Sequence, residues 1–333
     1  MPIIPTNSTQ LNKIIANKLA VRENVSNRFL RSYESTLVSQ YKIALNQIQK
    51  ELSRLFDRFS EDPKNRLTEY TQFNRKKSLE KQIRKQLKEL NAKNVKVFRK
   101  SIEGQFQDGY YSTQFAHETG MGLSFNFSQL PTDQIKAAVL NPVDAIKWGE
   151  RSRDNINLLN KKVRESITQG IIKGESLQKV SRKLTDDLGI GFRKARTIVR
   201  TESHRAREMG NSLNYDKTQK SFEDLGITRD KVWLSTLDAR TRPAHGSVDG
   251  KQANEDGLFE VFGVLAEAPG LTGLASQDIN CRCTTISEVE GFSPQVRKDN
   301  VTKEIIPYKS FSKWAESRGL TKNVFGQKYL KVA

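Results

Sequence analysis

The residues best suited to chemistry lie in two short segments of the second half of the chain. The first is DARTRPAHGSVDGK, residues 238–251, which combines a carboxylate, two guanidinium groups and an imidazole: Asp238, Arg240, Arg242 and His245. The second is NCRC, residues 280–283, which contains both cysteines of the chain, Cys281 and Cys283. These residue types suit a metal site, a catalytic pocket, or ion pairs that fix two loops.

A zinc site is the first of these interpretations. Zn²⁺ prefers four ligands, and cysteine sulfur and histidine nitrogen are favoured among them. Cys281, Cys283 and His245 supply three such ligands, and Asp238 or Asp249 would add a carboxylate oxygen. The competing interpretation is that both thiols are free and buried, where cysteine packs as a small hydrophobic residue.

Phosphodiester chemistry is the second interpretation, and it would make the chain a metal-dependent nuclease or another DNA-processing enzyme. Asp238, His245 and Glu202 would supply a general base and a carboxylate for a metal ion. Arg240 and Arg242 would stabilise the negative charge that develops in the transition state. Cys281 acting as a nucleophile with His245 as its base is a weaker variant of this hypothesis.

Loop-fixing ion pairs are the third interpretation, because Asp and Arg side chains also form bidentate salt bridges. Arg200 and Glu202 are predicted to lie near a helix end and to pair across to Arg240 or Asp238. No glycine-rich phosphate loop accompanies these residues, since GIGF at residues 189–192 joins two predicted helices rather than a strand and a helix.

The elements that must position these residues begin with two long N-terminal helices. Residues 11–59 are predicted to form the first, because apolar side chains recur at alternating steps of four and three: Tyr41, Leu45, Ile48, Leu52, Leu55 and Phe59. Pro63 ends this helix, and a second helix follows over residues 67–106 with an apolar face that begins at Leu79. Two long helices joined by a short break predict an antiparallel hairpin, whose apolar seam is either core or a contact between protomers.

The positive charge of the chain is concentrated in this hairpin. The net charge is +18, and residues 1–100 hold 22 Lys and Arg against 9 Asp and Glu. A basic block favours a polyanionic partner, and non-specific binding of double-stranded DNA requires contacts to phosphates alone. A solvated helix face is the competing interpretation. The cations expected to contact phosphates are Arg75, Lys76, Lys77, Lys81, Arg84, Lys85 and Lys88.

Five segments are predicted along the chain. Residues 1–107 form the basic hairpin, residues 108–131 an irregular boundary, and residues 132–229 a compact helical block. Residues 230–290 form a small β-rich module, because alternating patterns over 231–240 and 283–290 indicate strands. Residues 291–333 form a tail with a short amphipathic helix that carries Trp314. The predicted fold class is therefore α+β and mainly helical.

Glycines are predicted to end the helices of the central block. Gly170 and Gly174 close one helix before Ser176 opens the next. Gly189 and Gly191 are predicted to close that second helix and to separate it from a third.

Several protein classes are not expected from this sequence. No run approaches the roughly 18 apolar residues that a membrane span needs, and the N-terminus lacks the pattern of a secretory signal. A disulfide within Cys-x-Cys would be strained, which favours synthesis in a reducing cytoplasm. A membrane-active ejection protein is also not expected, since no strongly apolar amphipathic face stands out.

Four ordered motifs resemble the Mu F-like phage head morphogenesis proteins. They are ARTIVRTESHRARE, KVWLSTLDARTRPAHGSVDGK, a Pro-containing loop, and NCRC with the alternating strand after it, and IPYKSFSKWAE resembles the tail often found after them. The matching region covers about 110 residues, from 180 to 290. The family's motif positions fall on Arg200, Thr201, Glu202, Trp233, Asp238, Arg240, Arg242, His245, Asp249, Gly250, Asn280, Cys281, Arg282 and Cys283.

The resemblance implies a minor head protein that is present in few copies and joins the procapsid with the portal. It carries no catalytic role over to these positions. Some relatives carry a fused toxin domain, which is not expected here because only about 40 residues follow the module. The expected partners are the portal, the major capsid or scaffolding protein, double-stranded DNA, and a second copy through the N-terminal helices. The expected location is the head interior near the portal vertex, after assembly in the host cytoplasm, with release beside the DNA during ejection.

Overall fold

The computed structural model describes residues 8–58, 65, 68, 70, 75–121, 129–140, 147–289, 296–322 and 329–331. Most of these residues are helical, and small antiparallel sheets lie toward the C-terminal end. The predicted α+β class with a mainly helical body is therefore confirmed. None of the helices in this described part combines the length and apolar character that crossing a bilayer requires.

The helices are α1 (Ser8–Phe56), α2 (Arg75–Met121), α3 (Thr132–Leu140), α4 (Trp148–Ile172), α5 (Leu177–Asp224), α6 (Pro243–Gly246), α7 (Ala275–Asp278) and α8 (Phe311–Ser317). The strands are β1 (Arg229–Leu234), β2 (Phe259–Val261), β3 (Val264–Ala266), β4 (Thr284–Val289), β5 (Val296–Lys298), β6 (Ile305–Pro307), β7 (Leu320–Lys322) and β8 (Tyr329–Lys331). They form four antiparallel pairs, β1–β4, β2–β3, β5–β6 and β7–β8.

The chain divides into two compact units. The helical unit comprises Arg31–Lys100 and Ile146–Val199, and the mixed unit comprises Met1–Leu30, Ser101–Ala145 and Arg200–Ala333. Helices α1, α2 and α5 contribute residues to both units. All motif residues from Arg200 to Cys283 belong to the mixed unit.

In the helical unit, α1 and α2 run antiparallel, as the apolar spacing predicts. The hydroxyl of Tyr33 donates to the carbonyl of Lys100, and the amide of Asn94 lies 3.4 Å from the hydroxyl of Tyr41. The apolar seam is buried within one chain, apart from the half-buried Leu45. Its buried members are Leu37, Tyr41, Ile48, Leu52 and Leu55 of α1 and Leu79, Ile83, Leu87, Leu90 and Phe98 of α2. Phe59, the last residue of the predicted seam, lies outside the described residues.

Glycine plays two different roles in the central helices. Gly174, at φ +62°, ends α4, and the Ser176 hydroxyl accepts a hydrogen bond from the Lys179 amide at the start of α5, as predicted. The predicted break at Gly189 and Gly191 is wrong, because α5 runs without interruption from Leu177 to Asp224. A Cβ on Gly191 would lie 2.9 Å from the side chain of Leu159. This glycine therefore allows two helices to approach closely and does not end one.

The predicted irregular boundary is also wrong over residues 108–121, which form the last turns of α2. Gly109 allows a close helix crossing there, since a Cβ on it would lie 2.1 Å from the carbonyl oxygen of Arg207 in α5. Tyr110 is buried, and His117 packs edge-on against Phe222. Residues 122–128 lie outside the described residues.

The predicted strands of the small module are present and pair with each other. Strand β1 runs antiparallel to β4, with Trp233 opposite Thr285 and Leu234 opposite Thr284. The mixed unit contains two small apolar clusters. One contains Trp233, Val248, Phe259, Val261, Cys281 and Cys283. The other contains Leu237, Phe311, Trp314, Ala315 and Leu320, so the predicted tail helix packs through Trp314.

Candidate functional site

The β1–β4 pair brings the two chemistry-bearing segments together. Strand β1 ends at Leu234 and β4 begins at Thr284, and these two residues are partners in the ladder. Because the strands are antiparallel, the chain that follows β1 and the chain that precedes β4 lie at the same end of the pair. The segment after β1 contains α6, which carries His245, and the segment before β4 carries both cysteines.

His245 and the two cysteines form a compact buried group. The Nδ1 atom of His245 lies 3.6 Å from the Sγ of Cys281 and 3.5 Å from the Sγ of Cys283. All three side chains are buried, and the ligand atoms lie within 4.8 Å of one another. The indole of Trp233 packs edge-on against the imidazole at 5.6 Å between centroids. Within the described chain, the Nε2 atom of His245 has no hydrogen-bond partner.

The two thiols differ in acidity. The hydrogen bond from Cys281, with the His245 ring, lowers the pKa of the Cys283 thiol well below its usual range despite burial. The pKa of Cys281 is raised by its hydrogen bond to Cys283 and by burial. The Cys281 thiol therefore holds its proton more firmly than the Cys283 thiol does.

Asp238 is engaged by arginine and does not join the histidine and the cysteines. The guanidinium of Arg282, the residue between the two cysteines, donates to both carboxylate oxygens, at 2.9 Å for Nη2 to Oδ1. The backbone amide of Arg240 donates to Oδ1 at 2.9 Å, and its mostly exposed guanidinium lies 3.2 Å from Oδ2. Burial opposes ionisation of Asp238, but Arg282 and Arg240 hold the pKa of the carboxyl below its usual value.

Asp249, the other predicted oxygen ligand, forms a fully buried ion pair with Arg297. Both carboxylate oxygens accept from the guanidinium at 2.9 Å. Oδ1 also accepts from the Ser235 amide at 2.7 Å, and Oδ2 accepts from the Phe311 amide at 2.6 Å. Asp249 thus joins the end of β1 to β5 and α8. Its neighbour Gly250 has φ +76°, a backbone conformation that favours glycine.

Glu202 of α5 has an ion-pair partner that the prediction did not name. It forms a buried ion pair with Arg205 at 3.1 Å. Arg205 also donates to the carbonyl of Gly270 at 2.8 Å. Arg200 lies in the middle of α5 and not at a helix end, because the helix continues through Gly189 and Gly191.

Two further motif residues hold the loop that leads to the cysteines. The backbone amide of Asn280, at φ +58°, donates to the hydroxyl of Thr201 at 3.1 Å. The guanidinium of Arg242 donates to the carbonyl of Ile279 at 2.6 Å. Both contacts fix the backbone immediately before Cys281.

Several buried ionisable residues of this region were missed by sequence reasoning, among them Glu208, Lys231 and Arg229. Glu208 of α5 accepts from the Thr284 hydroxyl at 2.8 Å and from the Thr285 amide at 2.9 Å, and burial raises the pKa of its carboxyl. Lys231 donates to a serine hydroxyl at 2.6 Å, and burial lowers its pKa.

The third is Arg229. Its guanidinium carbon lies 4.0 Å from the centroid of the Tyr215 ring and 4.2 Å from the centroid of the Phe222 ring. For Glu208, the available signal was the spacing of polar residues along one face of α5, which resembles an exposed face until a partner covers it. Lys231 and Arg229 lie in β1 instead.

The predicted phosphate-contacting cations lie on α2. The side chains of Lys77, Lys81, Arg84, Lys85 and Lys88 are exposed. Those of Arg75 and Lys76 lie outside the described side chains. The five described cations recur at helical spacing, which places them on one broad face of α2.

Comparisons with known proteins agree with the position of this site. Residues 161–286 match the family model described as Phage Mu protein F like protein. The chain is 27% identical over 322 residues to "Minor head protein GP7" of Bacillus phage SPP1, an alignment that covers 94% of this chain and 98% of that protein. It is 28% identical over 301 residues to "NAD(+)--arginine ADP-ribosyltransferase EFV" of Enterococcus faecalis, covering 87% of this chain but only 61% of that protein. No solved structure shows a significant match.

Proposed function

The chain belongs to the Mu F-like family of phage minor head proteins, and we propose that it is a non-catalytic structural component of a phage head. The observation that carries this proposal is the alignment with a minor head protein over nearly the whole length of both chains. The enterococcal relative, which is named as an ADP-ribosyltransferase, does not support this proposal, and only 61% of that protein is aligned with this chain.

The partners of the candidate catalytic residues support a structural role over the nuclease alternative. A general base needs a free lone pair that faces the substrate. Both oxygens of Asp238 accept from Arg282, and Glu202 is paired with Arg205 in a buried position. These groups stabilise loops, so the motif acts as a scaffold that presents a surface to other head proteins.

Assembly partners follow from this role. We propose that the protein joins the procapsid with the portal protein, together with the major capsid or scaffolding protein, in the host cytoplasm. In the mature particle it occupies the head interior near the portal vertex and leaves beside the genome during ejection. Self-association through the N-terminal helices would use their exposed faces, because the apolar seam is buried within one chain.

Copurification tests this assignment. The full chain is coexpressed with the portal, scaffolding and major capsid proteins of the same phage, and assembled particles are isolated by sedimentation. We expect the protein in particles that contain the portal and not in particles assembled without it. Equal incorporation with and without the portal would refute portal association, and absence from both would refute the head assignment.

The basic face of α2 is proposed to lie against packaged double-stranded DNA. Lys81, Lys85 and Lys88 follow one another at steps of four and three residues, so their ammonium groups project from one side of the helix. Each phosphate contact to B-DNA contributes about −0.9 to the slope of log affinity against log salt. Such contacts carry no sequence information, so affinity should be similar for unrelated duplexes.

Charge reversal tests this contact in the full chain. The triple variant K81E/K85E/K88E is compared with K303E/K309E/K313E, which makes the same charge change at three exposed lysines of the mixed unit. Binding of a labelled duplex is followed by fluorescence anisotropy over a series of salt concentrations. We expect the first variant to reduce the salt slope by about 2.7 and the second to retain the wild-type slope. Equal losses in both variants would show that net charge alone, and not this face, attracts DNA.

A further inference from the structure

We propose that His245, Cys281 and Cys283 together bind one zinc ion, which ties α6 to the segment before β4. The ligand atoms would be Nδ1 of His245 and the two Sγ atoms. This site is independent of the portal and DNA contacts proposed above, since it concerns the internal structure of the mixed unit.

The distances fit a tetrahedral ion. Zinc lies about 2.3 Å from a thiolate sulfur and about 2.0–2.1 Å from an imidazole nitrogen. Two such bonds at a tetrahedral angle place the nitrogen and the sulfur about 3.6 Å apart. The Nδ1 atom of His245 lies 3.6 Å from one sulfur and 3.5 Å from the other. Both nitrogen–sulfur edges of a tetrahedron therefore have the required length.

Hydrogen bonding accounts for the contacts of Cys283 with Cys281 and with His245, but not for the short distance between His245 Nδ1 and Cys281 Sγ as well. A neutral imidazole nitrogen has one lone pair and accepts one thiol proton, or it carries one proton and donates once. His245 Nδ1 nevertheless lies at nearly equal distances from both sulfurs. A metal ion placed among the three atoms interacts with all of them at once.

The surroundings favour a site of zero net charge. Two thiolates neutralise the charge of Zn²⁺ and imidazole adds none, so a neutral group is buried among Trp233, Val248, Phe259 and Val261. A charged group would pay a large desolvation cost in the same place. Zinc binding would displace to solvent the protons that the sulfurs still hold, because cysteine ligates as the thiolate.

The protein supplies three ligands from its described residues. Asp238 and Asp249, which sequence reasoning offered as the fourth, accept hydrogen bonds from Arg282 and Arg297. We assign the fourth position to a water molecule. The ion would cross-link positions 36 and 38 residues apart, and this closure spans the β2–β3 hairpin.

Metal analysis of the purified full chain tests the proposal. The protein is reduced with a phosphine, loaded with Zn²⁺, desalted and measured by elemental analysis. We expect about one zinc per chain in the wild type and a loss of at least tenfold in stoichiometry for C281S, C283S and H245A. H117A is the matched control, because His117 also packs edge-on against an aromatic ring but lies on α2. Wild-type protein without zinc, or zinc retained by all three site variants, would refute the proposal.

Cobalt loading covers the case in which a site variant fails to fold. Wild-type protein loaded with Co²⁺ is expected to show thiolate-to-cobalt charge transfer in the near ultraviolet and the intense visible bands of tetrahedral cobalt. Addition of Zn²⁺ should remove both features. A spectrum without charge-transfer bands would exclude thiolate ligation in the intact fold.

Discussion

Gly210 marks a helix crossing that cannot accommodate even a methyl group. A Cβ on this α5 residue would lie 2.2 Å from the carbonyl oxygen of Phe106 and 2.8 Å from the backbone nitrogen of Tyr110, both in α2. Gly109 of α2 faces the same crossing from the other side, against the carbonyl of Arg207. The clashing atoms belong to the backbone, so no side-chain rotation can relieve them. We therefore expect Gly210→Ala to force α2 and α5 apart.

The expected loss for Gly210→Ala is about 3 kcal/mol. Relief of the clash needs a shift of about 1 Å, which forfeits much of the packing energy along the crossing and costs about 2 kcal/mol. The same shift would break two hydrogen bonds between the helices. These are Ser101 Oγ to Ser203 Oγ at 2.7 Å and Thr113 Oγ1 to Asn211 Oδ1 at 2.9 Å, each worth about 1 kcal/mol. Alanine has a higher helix propensity than glycine, and this difference offsets about 1 kcal/mol of the loss.

Urea unfolding followed by tryptophan fluorescence measures this loss. Trp233 and Trp314 report the mixed unit, and Trp148 reports the helical unit. Gly189→Ala in the same helix is the matched control. A Cβ on Gly189 would meet only an Arg193 guanidinium nitrogen, at 3.8 Å, so the variant should gain up to about 1 kcal/mol. If Gly210→Ala unfolds at the same urea concentration as the wild type or higher, the close crossing is not what Gly210 provides.

Two further predictions concern the mixed unit. Hydrogen bonds from Trp314 and Arg318 outweigh burial and lower the pKa of Asp299 from 3.8 to about 2. The carboxylate therefore contributes about 2 kcal/mol above pH 4, and this contribution is lost as the pH falls through 2. Urea unfolding of Asp299→Asn should show a deficit against the wild type at pH 5 that shrinks at pH 2.5; an equal deficit at both would contradict this account. Phe262, at φ +55° and 65% exposed, occupies the β2–β3 turn, so Phe262→Asn should keep or raise the melting temperature by calorimetry. Phe259→Ala, in the buried part of that hairpin, should lose about 3–5 kcal/mol, and a lower melting temperature for Phe262→Asn would refute the strain argument.

Local periodicity was sufficient to predict much of the fold. The hairpin of α1 and α2, the strands β1 and β4, and the tail helix around Trp314 each follow a pattern that a short window of sequence contains. The glycines were harder, because glycine favours a helix end and also a close crossing. Gly174 serves the first purpose and Gly191 the second. Only the residue on the facing helix, here Leu159, distinguishes the two roles.

Partners in the ion pairs were not predictable from the sequence. Asp238 pairs with Arg282, 44 residues later, and Asp249 pairs with Arg297, 48 residues later. Several arginines of similar spacing competed for each carboxylate, and the choice depends on the loop paths between β1, α6 and β4. The sequence did not identify Arg297 as an ion-pair partner, because a single arginine in a short alternating strand usually faces solvent.

The hydrogen bonds of the mixed unit distinguish residues that hold its loops in place from residues that could perform chemistry. An arginine or an aspartate that acts on a substrate must keep donors or lone pairs directed at it. Asp238 and Asp249 instead direct both oxygens at arginine and at backbone amides. His245, Cys281 and Cys283 differ, because their ligand atoms face one another in an apolar surrounding. An ion bound by these three atoms would stabilise the same loops that the ion pairs already hold, so metal and salt bridges would reinforce one scaffold.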